Sequence, residues 1–68
     1  MERRMTGLVT HPNIADADGF YARLLACHRG LSEAQSQALN ARLVLVLANH
    51  IGDADVLQAA MAVARDGA

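Results

Sequence analysis

Nothing in this sequence can staple the chain from within. Cys27 is the one cysteine, so an internal disulfide is excluded. A lone thiol also fits a reducing compartment better than a secreted scaffold. Trp is absent and aromatics make up only 3% of residues, so the apolar mass is Ala, Leu and Val. Ala and Leu favour helices. Lys is absent too; all basic residues are Arg, which reads as codon bias rather than chemistry. Neither sign of charge dominates: the formal net charge is −1, so no whole-protein field draws the chain to nucleic acid or to an anionic membrane. The apolar run Leu43–Ala48 is far short of the roughly 20 residues that span a bilayer. Arg3 and Arg4 have no apolar segment behind them, so Met1–Thr10 is not a signal peptide, and the expected location is the cytoplasm.

What is present is a high hydrophobic fraction, 53%, in a chain of 68 residues. That excludes a disordered tail. It also poses a problem of size. A domain this short buries only about 60% of its unfolded surface, and one core rarely supplies more than roughly 3–5 kcal/mol. With a disulfide excluded, the remaining supports are a metal, regular helix packing and association.

Residues 1–15 show no sustained period, and His11-Pro12-Asn13 is a turn-forming cluster. They are expected to form an irregular arm, with Leu8, Val9 and Ile14 able to lie across a helix. Residues 16–68 are expected to form an all-α, three-helix domain. The first helix should run over 16–29, capped by Asp16 and stopped by Gly30 in the left-handed conformation. Phe20, Leu24 and Cys27, beside Tyr21, Leu25 and His28, give it one broad apolar face. Ser32-Glu33-Ala34-Gln35 is a capping box, S-x-x-Q, and starts a long helix over 33–51 that Gly52 ends. Asp53 then caps a third helix over 54–65, with Val56, Leu57, Ala60, Met61 and Ala64 as a narrow stripe and Arg65 suited to the C-terminal end of the dipole.

Placed at 100° steps, the second helix is apolar nearly all round. Leu39, Leu43 and Val46 form one row with Leu47 beside it. Val44, Ala41 and Ala48 lie opposite, and Leu45 with Ala38 covers a third direction. One polar stripe, Gln35, Arg42 and Asn49, runs through it. A helix apolar around its girth is buried around its girth. Two short flanking helices can cover about two-thirds of that circumference. Either they and the arm close over it, or part of it is an interface, as large apolar patches on soluble proteins are. Size and apolarity together favour the interface, at Leu39, Leu43, Val44, Leu45, Val46 and Leu47. The expected partner is a second copy or a larger protein.

Candidate chemistry is sparse. Cys27 and His28 point about 100° apart on one helix and cannot act as nucleophile and base; Cys27 is expected to be an inert core residue. His11, His28 and His50 lack metal-ligand spacing with Asp53 or Asp55, so no metal or cofactor is expected. His28 and His50 are better explained as helix C-terminal residues satisfying carbonyls. Arg42, Asn49, His50 and Asp53 form the densest polar cluster. It reads first as a capped helix corner and second as a recognition corner for a small ligand or metal. The third helix carries Asp55 and Asp66 with only Arg65 as a cation, so it is not a DNA-reading helix. No nucleophile, base and oxyanion donor converge, and an enzyme is not expected.

The segments "DGFYARLLACHRGLS", "LNARLVLVLANHIGD" and "VLQAAMAVA" resemble the short bacterial proteins grouped as domain of unknown function 2783. Ala48-Asn49-His50-Ile51-Gly52-Asp53 is the most specific part of that likeness. The resemblance implies a free-standing small bacterial protein. It carries over no catalytic or binding residue. Through its association with neighbouring flavin-dependent aromatic hydroxylases, it suits an accessory subunit of a larger enzyme.

Overall fold

The computed structural model describes residues 7–67, which form three helices and no strand. The first six residues of the expected arm, including Arg3 and Arg4, lie outside the described residues. α1 spans Ala17–Cys27, α2 Glu33–Ile51 and α3 Ala54–Asp66.

Each start is fixed by a side chain that takes up free helix N–H groups. Asp16 Oδ1 accepts from Gly19 N–H at 2.9 Å. Ser32 Oγ accepts from Gln35 N–H at 3.1 Å while Gln35 Oε1 accepts from Ser32 N–H at 2.9 Å, which completes the capping box. Asp53 Oδ1 accepts from both Asp55 and Val56 N–H, at 3.0 and 3.1 Å. Gly52, at φ 70°, turns the chain between α2 and α3, and its N–H donates to the Ala48 carbonyl at 2.9 Å.

α1 stops two residues short of its expected end at Arg29. His28 N–H bonds back to Leu25 and Arg29 N–H to Ala26, three residues rather than four, so the last turn is tightened out of α geometry. Gly30, at φ 78°, follows as expected. α3 runs one residue further than expected, to Asp66, because Gly67 N–H still reaches the Val63 carbonyl.

The larger correction concerns packing. None of the described residues is buried. The best covered side chains, among them Leu24, Leu39, Leu43, Val56 and Leu57, are only half-buried. Among the described residues no two helices pack along each other over any length. The radius of gyration is 14.3 Å, against about 11 Å for a compact chain of this size. Helices α1 and α3 therefore splay away from α2 and do not close over it. Part of the arm does approach the rest of the chain: Gly7 passes beside the Val56 side chain at the start of α3, and Leu8 is half-buried. Val9 and Ile14, expected to lie across a helix, are exposed.

Candidate functional site

α2 is 19 residues long, which at 1.5 Å per residue is nearly 30 Å of helix. Along it the apolar side chains divide into two groups. Leu39 and Leu43 are half-buried together with Ser36, and the three lie within one sector of about 60°. Val44, Leu45 and Val46 are 63%, 68% and 64% exposed, and Leu47 is 48% exposed. Those four consecutive residues point in four directions, so the segment is uncovered on nearly every side. Ile51, one turn beyond Leu47, is exposed as well. A contiguous apolar surface thus occupies the C-terminal half of α2, with no charged residue between Leu43 and Ala48 to solvate it.

Cys27 belongs to this picture rather than to a core. It is exposed, contrary to the expectation from its place in the apolar row of α1. Of the expected apolar face of α1 only Leu24 and His28 are half-buried, while Phe20, Tyr21 and Leu25 are exposed beside Cys27.

The polar corner does not converge. Asp53 spends one carboxylate oxygen on two backbone N–H groups at the start of α3. His50 and Asn49 occupy the last turn of α2, and Arg42 stands two turns earlier, about 10 Å along the axis from Asn49. Arg42 instead lines an open groove with Leu31, Gln35, Ala38 and Leu39. The spacing of residues 35, 38, 39 and 42 would have placed them on one face. Leu31, just before the cap, is the residue that sequence reasoning omitted from that group. A second shallow groove lies in the arm, between Val9, His11, Pro12, Ile14 and the first residue of α1, Ala17. Neither the His28 nor the His50 imidazole bonds a helix carbonyl among the described residues, so their expected capping role reduces to their position near helix ends. Among the described residues no group of three His, Cys, Asp or Glu side chains is placed to hold a metal ion. No described helix is long and apolar enough to cross a membrane.

A family model described as "Protein of unknown function (DUF2783)" matches residues 8–66, and the chain belongs to that family. No curated protein and no solved structure matches it.

Proposed function

We propose that this member of the family of unknown function 2783 is a non-enzymatic interaction protein, and that another polypeptide covers the apolar surface of α2. The observation that carries this reading is the exposure of Val44, Leu45 and Val46 in a chain whose described residues include none that is buried. α1 has 11 residues and α3 has 13. Isolated helices below about 12–15 residues are marginal in water, and most helix stability in proteins comes from packing an apolar face. Without a cover, these helices lack that source of stability.

The covering chain is either a second copy or a larger protein. The second form includes the accessory subunit of a flavin-dependent bacterial enzyme that the family resemblance suits. The lone thiol of Cys27, exposed and unpaired with any other cysteine, favours the reducing cytoplasm. A non-enzymatic role rests on the lack of convergence: the one adjacent nucleophile–base pair, Cys27-His28, diverges by about 100° around α1.

Light scattering with far-UV circular dichroism at micromolar concentration tests the reading. A folded protein of at least twice the chain mass supports it, as does a chain that is unfolded by itself. A cooperatively folded monomer overturns it. Val44→Arg should dissociate or unfold the protein; a folded Val44→Arg variant of unchanged multimeric mass refutes the use of this face. A ligand or metal module built on Arg42, Asn49, His50 and Asp53 is the competing reading. It predicts that Zn²⁺ raises, and EDTA lowers, the melting temperature. We expect neither shift.

A further inference from the structure

We infer that the cover on α2 is a second copy of this chain, paired with it antiparallel along α2 in an obligate two-fold dimer. This rests on the interface reading above and goes on to name the occupant and its orientation.

Area carries the choice of occupant. The chain exposes 5920 Å². A compact protein of its mass, 7.2 kDa, would expose about 4,100 Å², and a compact dimer about 6,800 Å². Two copies must therefore remove about 5,000 Å² to become as compact as ordinary proteins, which lies within the range of obligate homodimer interfaces. Per chain that is roughly two-fifths of its surface, about three times what each partner contributes to a standard-sized complex. A flat docking site on a larger globular protein does not cover so much of a splayed chain. A second splayed chain does, because the helices of each fill the open corners of the other.

Self-closure is the competing way to hide the area, and the corners oppose it. Between α1 and α2 the chain is held by the left-handed Gly30 and the Ser32/Gln35 capping box. Between α2 and α3 it is held by the left-handed Gly52 and the doubly bonded Asp53 cap. With the corners so held, neither short helix covers Val44 or Leu45, which stay 63% and 68% exposed.

The row of residues facing the open side sets the orientation. Ala34, Ala38, Ala41, Leu45 and Ala48 follow one another at steps of four and three, and Gly52 continues the series. That is the 3.5-residue period of a helix–helix seam. All but Ala48 are exposed, and Ala48 is half-buried. Small side chains let two helix axes approach to the short end of the usual 8–10 Å range. In a parallel, in-register pair, Leu45 would meet its own copy between layers of alanine, leaving gaps on either side. Reversing the row about the point midway between 41 and 45 sets Leu45 against Ala41 of the partner subunit. Ala38 then faces Ala48 of the partner subunit and Ala34 faces Gly52 of the partner subunit, so every layer contains at least one small residue. The row is self-complementary in that sense, which a two-fold interface requires.

The test uses the full chain with Cys27→Ser and a nitroxide label at Glu33→Cys or Asn40→Cys. Both sites are exposed on α2 and away from the seam. Antiparallel pairing about the 41/45 midpoint offsets the two labels along the axis by about 30 Å at residue 33 and about 9 Å at residue 40. Parallel pairing offsets neither. Twice the chain mass with a spin–spin distance longer at 33 than at 40 by more than about 10 Å is the expected result. Twice the mass with equal distances overturns the antiparallel arrangement but leaves the interface standing. An unfolded monomer, or any other stoichiometry, overturns the two-copy occupant, and the unfolded monomer leaves a larger protein as the cover. A folded monomer overturns both.

Discussion

Replacing Leu45 with alanine separates the two physical descriptions of α2, because they predict effects of different size. On the isolated chain Leu45 is 68% exposed. Full burial of a leucine side chain contributes about 1.5–3 kcal/mol, so the one-third that is covered contributes about 0.5–1 kcal/mol. Alanine is the better helix former by a few tenths of a kcal/mol and returns part of that. For an uncovered helix, Leu45→Ala is therefore close to neutral. If Leu45 instead fills a space against the alanines of a second α2, its truncation leaves a cavity. Such substitutions cost about 2–5 kcal/mol per site, and a two-fold dimer contains the site twice. At roughly 4–8 °C per kcal/mol for a chain of this length, even the low end lowers the melting temperature by about 8 °C or more.

The assay is thermal unfolding by circular dichroism at several fixed protein concentrations, with the mass measured alongside. If α2 pairs as proposed, the parent protein should melt at higher temperature as concentration rises, since unfolding is then coupled to dissociation. Leu45→Ala should melt well below it at every concentration and dissociate at a higher one. A shift below about 4 °C, with unchanged mass, would refute the claim that Leu45 is covered at all. The double variant Ala41→Leu with Leu45→Ala sharpens the test. Each single change disturbs the 41/45 layer, but in the antiparallel pair the double change conserves its volume, so the costs should be strongly non-additive.

The corners carry predictions of their own, all readable by thermal melting at one protein concentration. Ser32→Ala removes the acceptor for Gln35 N–H and should cost about 1 kcal/mol, or about 4–8 °C, without changing the mass of the folded species. Gly52→Ala meets no atom closer than 3.7 Å, so its cost is purely that of a left-handed backbone, about 1–2 kcal/mol, and Gly52→Asn should recover part of it. Gly19→Ala should give none of the roughly 1 kcal/mol that alanine usually adds inside a helix, because its Cβ would run into the Asp16 carboxylate that caps α1. In an Asp16→Ala background the same substitution should stabilise.

What could be read from the sequence here, and what could not, divides by the range of the interaction. The helix starts were legible because capping is settled within three residues. Ser32 with Gln35, and Asp53 with Val56, announce their bonds in the order of the letters, and the structure makes them. The end of α1 was less so. Gly30 signals a stop but not where α geometry ends, and the tightening of the last turn onto Leu25 and Ala26 takes His28 and Arg29 out of the helix. The site divides the same way. The apolar circumference of Leu43–Ala48 is visible by counting at 100° steps, and Val44, Leu45 and Val46 are exposed in the structure. Its cover was not visible, because burial inside a chain and burial between chains call for the same residues. Cys27 shows the cost of that ambiguity: it sits in an apolar row, which implied a core, yet it is exposed. Arg42 shows another. Grouped with Asn49, His50 and Asp53 by proximity in sequence, it lines a groove with Leu31 and Gln35, because a helix separates residues seven apart by two full turns. The deciding quantity is the direction in which α1 and α3 leave their corners. That direction follows from Gly30 and Gly52 at positive φ together with the caps that succeed them. With those corners in place Val44 and Leu45 stay 63% and 68% exposed, and the apolar circumference of α2 is a surface that neither short helix covers.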